Sequence, residues 1–213
     1  MATKVKVNQI DTNLRDGWTA ANESWAYASA STITVPSGAA SKYQKGDRLR
    51  WKQGGAYKYG VIVTVADTLL TIAVNTDYTV ADSAITDNYY SHQANPIGYP
   101  GWFAYTPTLT SNSAWTNAPT VGSNSSFCIN GITLTVRIDF TFNANSGGSS
   151  WVLATLPVNA VKTGFGGYGF SNAGFQLMLQ NNQGAGGVTI YKYEGSSPIG
   201  NSNVINAQVT YQI

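Results

Sequence analysis

The sequence predicts an all-β chain, and three features of its composition carry that prediction. Asn, Gln, Ser and Thr account for 70 of the 213 residues. Glu occurs twice and Leu ten times, so strong helix formers are scarce. Thr, Val and aromatic residues are plentiful, which favours strands with one buried face. Hydrophobic residues at 43% and aromatic residues at 12% exclude a disordered chain, and the shortage of helix formers excludes a helical bundle or a coiled coil.

Charge and glycine are distributed unevenly, which predicts two domains. Residues 1–100 carry 17 of the 22 charged side chains, whereas residues 101–213 carry 15 of the 22 glycines. The segment 95–102, Asn-Pro-Ile-Gly-Tyr-Pro-Gly-Trp, has the composition of a linker. We therefore predict an N-terminal β-domain over 1–100 and a C-terminal β-sandwich over 101–213.

The N-terminal domain is predicted to be a small antiparallel β-barrel or meander. Alternation of residue types and apolar runs bounded by turns predict strands at 31–35, 48–52, 56–65 and 69–74. Gly54-Gly55 is typical of a hairpin turn between the second and third of these strands. A short helix or turn is expected around 80–86.

The C-terminal domain is predicted to be a jelly-roll-like β-sandwich. Residues 132–142 alternate for eleven positions, so one face of that strand should pack in a core. The inward residues would be Leu134, Val136, Ile138, Phe140 and Phe142. Further strands are predicted at 151–156, 175–180, 187–193 and 204–213. The segment 165–170, Phe-Gly-Gly-Tyr-Gly-Phe, is predicted to be a flexible loop whose rings pack on the sandwich.

The sequence offers little for catalysis. His92 is the only histidine, and no nucleophile motif surrounds it. Asp139 and Glu194 are the only carboxylates of residues 101–213, and glycosidases need a pair of them. We expect Asp139 to pair with Arg137 on the same strand face. We therefore predict no catalytic residue and no cofactor.

Metal binding and disulfide formation are not expected either. Cys128 is the only cysteine, so an intrachain disulfide is excluded, and its apolar neighbours predict a small buried side chain. Zinc sites need several Cys or His ligands. Asp77, Asp82 and Asp87 recur every five residues, which fits turns and caps, with calcium binding as the alternative.

Basic and aromatic residues interleave near the start of the predicted meander. The basic residues are Lys42, Lys45, Arg48, Arg50, Lys52 and Lys58. Such a pattern suits single-stranded nucleic acid, but it also fits a solvated strand face. Because the net charge is only +2, we expect no nucleic-acid partner. The candidates for docking onto a protein partner are Arg48, Arg50, Lys52 and Trp51.

Targeting signals are not evident. The first seven residues lack the apolar core of a signal peptide, and no stretch approaches about 18 apolar residues. We therefore expect that the chain does not insert into a membrane. We expect it to assemble in a host cytoplasm.

Two stretches of the chain resemble bacteriophage structural proteins. The first resembles part of phage tail and minor virion structural proteins, through segments at 16–18, 25–30, 45–50, 59–65, 70–74, 85–91 and 95–103. The second begins at Tyr105-Thr106-Pro107-Thr108, includes Leu156-Pro157, and resembles the distal β-sandwich modules of phage fibres. Such modules are commonly homotrimers. Without the long central shaft usual in fibres, a fibre tip, a short fibre and a particle decoration all stay open.

The resemblance implies a non-enzymatic virion structural protein of the fibre or receptor-binding type. It would be displayed on the virion surface as a homotrimer, in contact with other virion proteins and with host surface glycan. Aromatic rings beside Asn and Gln suit sugar faces, and the candidates are Trp115, Trp151, Tyr168, Tyr191 and Tyr193; the alternative for each is core or intersubunit packing. The alternative functions are a decoration or adaptor protein without a receptor and a polysaccharide-degrading tail enzyme.

Overall fold

The chain folds into strands that form two separate units. A computed structural model describes residues 16–111, 114–143, 151–161, 164–182, 186–194 and 202–213. Two three-residue 3-10 helices, Ala39–Ser41 and Thr76–Tyr78, accompany the strands. The units are Met1–Gly101 and Trp102–Ile213, so their boundary falls one residue from the predicted one. The prediction of an all-β chain of the barrel and sandwich class is confirmed.

Seven antiparallel strands form the sheet of the N-terminal unit. They are β1 (Thr19–Ala20), β2 (Ala26–Ser29), β3 (Thr32–Thr34), β4 (Arg48–Gln53), β5 (Ala56–Val65), β6 (Leu69–Val74) and β7 (Thr86–Ser91). Their order across the sheet is β1-β7-β4-β5-β6-β3-β2. Strands β5 and β6 have the predicted bounds. Gly54 and Gly55, between β4 and β5, both have positive φ angles of 62° and 86°, as a type I′ hairpin turn requires.

The first two strands of this unit lie at opposite edges of its sheet. Only residues 21–25 separate them, and this connection spans at most about 21 Å when extended. Seven strands laid flat would be about 29 Å wide, at about 4.8 Å per spacing. The sheet must therefore curl, which closes it around one core. That core includes Trp25, Ile33, Leu49, Trp51, Ile62 and Leu70.

Of the predicted helix or turn around 80–86, the structure contains no helix: the segment bends at Asp82 and Ser83 and then leads into β7. Val80 and Ile85 are buried in the core. The buried amide of Gln53 holds the backbone between them, since its Nε2 donates to the carbonyls of Ala81 and Ser83. Its Oε1 accepts from the Ala81 N–H. A core side chain thus supplies the hydrogen bonds that a helix would have made internally.

Ten antiparallel strands form the sheet of the C-terminal unit. They are β8 (Phe103–Ala104), β9 (Leu109–Ser111), β10 (Thr120–Val121), β11 (Ser126–Asn130), β12 (Thr133–Thr141), β13 (Val152–Thr155), β14 (Gly164–Ser171), β15 (Gln176–Asn182), β16 (Gly187–Lys192) and β17 (Val204–Gln212). The order is β8-β11-β12-β17-β14-β15-β16-β13-β9, and β10 pairs with β12.

Consecutive strands again occupy the two edges of this sheet. Residues 105–108 connect β8 to β9 and span at most about 18 Å, whereas the nine strands of the main path would be about 38 Å wide if flat. Tyr105 still donates to the Ser125 carbonyl beside β11, while the Thr108 carbonyl accepts from Thr155 of β13. The short connection therefore joins both edges and curls the sheet on itself.

Strand β12 confirms the strongest of the strand predictions. Its five predicted inward residues, Leu134, Val136, Ile138, Phe140 and Phe142, are all buried. It pairs with β17 over nine residues, from Thr133↔Gln212 to Thr141↔Val204. The inner faces of these two strands form the centre of the core, and their alternate residues lie on the outer side of the sheet.

The predicted loop at 165–170 is instead part of β14, which lies between β17 and β15. A Cβ atom on Gly167 would lie 2.3 Å from the Gln208 carbonyl oxygen, and one on Gly169 would lie 2.8 Å from that of Asn206. Glycine is therefore needed here because the backbones of β14 and β17 approach closely. The prediction was wrong because glycine content alone was taken to indicate a loop.

The prediction that Cys128 is buried is also wrong, because Cys128 is half-buried. It lies in β11 between Phe127 and Ile129, which both point into the core. Alternation along the strand therefore turns the thiol toward the outer side of the sheet.

Substitution of Gly167 by alanine should destabilise the C-terminal unit. The new methyl group would overlap the Gln208 carbonyl oxygen, so we expect the free energy of unfolding to fall by about 1–3 kcal/mol. Gly101→Ala is the control, because nothing lies within 4 Å of its Cβ position, and it should change stability by less than about 0.5 kcal/mol. Equal urea midpoints for the two variants would contradict the close approach.

A half-buried ion pair supports the core of the N-terminal unit. The Glu23 carboxylate accepts from Lys42 Nζ at 2.6 Å, from Trp25 Nε1 at 3.0 Å and from the Tyr43 hydroxyl. Burial raises the pKa of Glu23, but the hydrogen bonds from Lys42, Tyr43 and Trp25 outweigh it and hold the pKa below its ordinary value of 4.5.

Glu23→Gln should make the chain less stable at neutral pH but not in acid. Because folding lowers the pKa of Glu23, the ionised carboxylate stabilises the fold above the unfolded value of 4.5, and this stabilisation is lost as pH falls through the folded pKa. We expect a difference in unfolding free energy of about 1–3 kcal/mol at pH 7, which shrinks below about pH 4.5. Urea denaturation at several pH values measures it, and a difference independent of pH would contradict the assignment.

Candidate functional site

Two of the predicted docking residues are structural. Trp51 is 0% exposed and lies in the N-terminal core, while Arg48 is 2% exposed. The Nε of Arg48 donates to the Ala94 carbonyl at 2.9 Å and its Nη1 to the Gly46 carbonyl at 2.8 Å. Its guanidinium carbon lies 5.2 Å from the centroid of the Tyr99 ring. The docking prediction is therefore wrong for both residues, because the face taken to be solvated at Arg48 is covered.

The other two docking candidates are only partly accessible. Arg50 is half-buried, with its guanidinium carbon 4.3 Å from the Tyr89 ring centroid and 4.7 Å from that of Trp18. These cation–π contacts hold the side chain against the unit. The side chain of Lys52 is 41% exposed, and its Nζ lies 3.9 Å from Asp87 Oδ2. Of the four candidates, Lys52 and part of Arg50 can meet a partner.

The single histidine takes part in a structural contact. His92 Nδ1 lies 2.8 Å from Asp47 Oδ1, and Asp47 Oδ2 accepts from the Gln44 N–H at 2.9 Å. Asp47 is buried, so these bonds satisfy its carboxylate in the turn before β4. Within the described ranges, no group of three or more His, Cys, Asp or Glu side chains is placed to hold a metal ion. No helix in the same part of the chain is long and apolar enough to cross a membrane.

Outward residues of five neighbouring strands of the C-terminal sheet form two rows. The strands are β12, β17, β14, β15 and β16. The first row is Arg137, Gln208, Tyr168, Met178 and Tyr191. The second row is Asp139, Asn206, Phe170, Gln176 and Tyr193. We call these ten residues the outer face.

The outer face exposes large aromatic side chains. Tyr168, Phe170 and Tyr193 are 62%, 57% and 71% exposed. The rings of Tyr168 and Phe170 are 6.4 Å apart and meet edge to face. Tyr191 is half-buried; its hydroxyl donates to Gln180 Oε1 at 3.1 Å, and burial raises its pKa. Contiguous exposed apolar side chains are typical of interaction surfaces.

Tyr168 and Phe170 form a ridge with a groove on each side. The groove over β17, called the polar groove after its charged and amide side chains, has a volume of about 270 Å³ and is lined also by Asn124, Arg137, Asp139, Asn206 and Gln208. The groove over β15, called the apolar groove because its described lining holds no charged side chain, has a volume of about 320 Å³ and is lined also by Gln176, Leu177, Met178 and Tyr193. A few polar groups beside aromatic walls are typical of small-molecule sites.

The charges of the polar groove lie at its β12 side. The Arg137 guanidinium carbon lies 4.0 Å from the Trp102 ring centroid, and Asp139 Oδ2 accepts from Asn124 Nδ2 at 3.1 Å. The predicted Arg137–Asp139 pair is therefore wrong, because each side chain has another partner. A Cβ atom on Gly122 would lie 2.0 Å from Asp139 Oδ2, so glycine at that position makes room for the carboxylate.

Four of the five predicted glycan-binding residues lie along the same part of the sheet. Tyr168, Tyr191 and Tyr193 belong to the outer face. Trp151 directly precedes β13, whose register with β16 begins at Val152↔Ile190. Continuing that register by one residue places Trp151 beside Tyr191.

Trp115 is the exception among the predicted glycan-binding residues. Its Nε1 donates to the Leu109 carbonyl at 3.3 Å, and its ring lies 6.2 Å from that of Phe142. Phe142 is buried in the core, so Trp115 packs against the core, which was the stated alternative to glycan binding.

Sequence reasoning missed several residues of the outer face, chiefly Phe170, Met178, Asn206 and Gln208. Phe170 was missed because 165–170 was interpreted as a loop, and the other three because the register between strands is not contained in any local pattern. The available signal was the spacing of Tyr168 and Phe170 around a single glycine, which is the period of a strand. Glycine inside a strand marks a close approach of another backbone.

Comparisons with protein-family models, with curated proteins and with solved structures find no match to this chain. The function is therefore inferred from the outer face and from the resemblance described above.

Arg48→Ala should destabilise the N-terminal unit far more than Lys52→Ala, although both residues lie in β4. Loss of Arg48 leaves the Ala94 and Gly46 carbonyls without their donor, so we expect a loss of about 2–4 kcal/mol in unfolding free energy. Lys52→Ala should cost less than about 1 kcal/mol, because exposed ion pairs contribute little. Thermal and urea unfolding measure both, and equal effects would contradict a structural role for Arg48.

Proposed function

We propose that the chain is a non-enzymatic structural protein of a bacteriophage virion, of the fibre or receptor-binding type, whose C-terminal unit binds host surface glycan. The observation that carries the proposal is the outer face, where Tyr168, Phe170 and Tyr193 are exposed beside amide side chains. Aromatic faces pack against the C–H faces of sugar rings, and Asn and Gln amides both donate to and accept from hydroxyl groups.

The place of the protein on a virion is supported by the resemblance and by composition. Charged residues make up only 10% of the chain, which limits repulsion between closely packed identical subunits. We propose that the chain forms a homotrimer on the virion surface. The N-terminal unit would dock onto other virion proteins, with Lys52 and the accessible part of Arg50 as contacts.

A polysaccharide-degrading enzyme is the weakest of the three functions. Asp139 and Glu194 are the only carboxylates of residues 101–213. Asp139 lies in β12, and Glu194 follows β16, four strands away. This separation is about 19 Å along the sheet, whereas the two carboxylates of a glycosidase lie about 5–9.5 Å apart.

A decoration or adaptor protein without a receptor is the second candidate. The exposed rings of Tyr168, Phe170 and Tyr193 favour it too, because aromatic residues are enriched in the centres of protein interfaces. In that case, the outer face would pack against another virion protein. Glycan binding and particle binding separate the two functions.

Replacing both Tyr168 and Phe170 by alanine should abolish most glycan binding. Each lost aromatic contact is worth about 0.5–1.5 kcal/mol, so affinity for a bound polysaccharide should fall at least about fivefold. We would measure binding of the full chain to a panel of immobilised bacterial surface polysaccharides by interferometry.

Tyr27→Ala is the matched control, because Tyr27 is an exposed aromatic residue of the N-terminal unit. Its affinity should stay within about twofold of the unsubstituted chain. If no polysaccharide binds while the chain binds purified virions tightly, the decoration function is favoured and the receptor function is wrong.

A further inference from the structure

We infer, building on the proposed function, that the outer face takes an uncharged polysaccharide whose sugar residues occupy the polar and the apolar groove on either side of the ridge. The chain of sugars would run across the strands, over Tyr168 and Phe170.

The two grooves are small. Their volumes are about 270 and 320 Å³. Both lie near the lower end of the volume range of ligand pockets, so neither holds an oligosaccharide alone. The grooves lie over β17 and β15, which flank β14 and are about 10 Å apart. A ligand that fills both must therefore be a chain that crosses the ridge.

The charges around the grooves favour a ligand without net charge. Arg137 and Asp139 are the charged residues that line the polar groove, and their charges oppose each other. The described lining of the apolar groove contains no charged side chain. Arg137 stacks on Trp102, so its guanidinium is already engaged at the groove wall. Because these two charges balance, neither an anionic nor a cationic sugar would meet a net opposite charge in this groove.

The polar groups of the polar groove suit hydroxyl groups. The Asp139 carboxylate is an acceptor only, and Asn124 Nδ2 orients it through a hydrogen bond at 3.1 Å. Asn206 and Gln208 lie beside it on β17, in register with Asp139 and Arg137. Amide side chains of this kind supply both donors and acceptors. Adjacent sugar hydroxyls can then donate to Asp139 while accepting from an amide.

Asp139→Asn tests whether the ligand is charged, because the substitution should lower the affinity for an uncharged polysaccharide and raise it for an anionic one. The substitution keeps the shape of the side chain and removes its negative charge. Binding of an uncharged polysaccharide should weaken about three- to tenfold, because a charge-assisted hydrogen bond becomes a neutral one. Binding of an anionic polysaccharide should instead strengthen, because a like charge is removed. The probes are purified O-antigen and capsular polysaccharides, divided into uncharged and anionic sets.

Tyr193→Ala tests the apolar groove separately, because Tyr193 lines that groove and not the polar one. We expect a three- to tenfold loss of affinity for the same uncharged polysaccharide. Ile132→Ala is the control, since Ile132 is an exposed apolar residue of the same unit that lines neither groove. Thermal unfolding of each variant checks that the fold is retained.

The outcomes separate this inference from the proposed function. Weaker binding of uncharged polysaccharides by both Asp139→Asn and Tyr193→Ala supports two subsites for an uncharged chain. If the chain binds anionic polysaccharides and Asp139→Asn strengthens that binding, the inference is overturned. The proposed function still stands in that case if the variant that lacks both the Tyr168 and the Phe170 rings loses binding. If Tyr193→Ala leaves the affinity for the uncharged polysaccharide unchanged, the ligand occupies only the polar groove, and the inference of two grooves is overturned. Binding that no ridge substitution changes, or no polysaccharide binding at all, overturns both.

Discussion

Each sheet of this chain is shaped by a short connection between its two opposite edges. Residues 21–25 join the edge strands of the N-terminal sheet, and residues 105–108 join those of the C-terminal sheet. A connection of four or five residues is shorter than the flat width of either sheet. Curling is therefore obligatory, and it turns one side of each sheet into an enclosed apolar core. The outer face of the C-terminal sheet is a consequence of that closure.

The glycines of β14 explain why the outer face has a ridge with a groove on each side. Gly167 and Gly169 allow the backbone of β14 to approach that of β17 closely. The large side chains that β14 presents on the outer face are those of Tyr168, between the two glycines, and Phe170, after the second. The two rings become a ridge on a backbone that is hydrogen-bonded on both sides. Because the ridge is held by a sheet and not by a loop, little conformational freedom would be lost when a ligand binds.

Local patterns in the sequence predicted strands well and surfaces poorly. Alternation and turn residues were sufficient for β5, β6 and the buried face of β12, because those signals lie within one strand. They could not show that Arg48 is covered by Tyr99, which is distant in sequence and close only in the fold. The two rows of the outer face depend on register between strands that lie up to about seventy residues apart, such as Arg137↔Gln208. No local period contains that register, so Asn206 and Gln208 were missed.

The most direct test of the outer face uses its methionine. The chain has two methionines, and Met178 lies in register between Tyr168 and Tyr191 and lines the apolar groove. Protein labelled with ¹³C at the methionine methyl groups would give one signal from Met178 and one from Met1. On titration with a purified uncharged bacterial surface polysaccharide that binds the chain, the Met178 signal should shift while the Met1 signal stays in place. A Met178 signal that does not move at saturating polysaccharide would contradict a glycan site on this face.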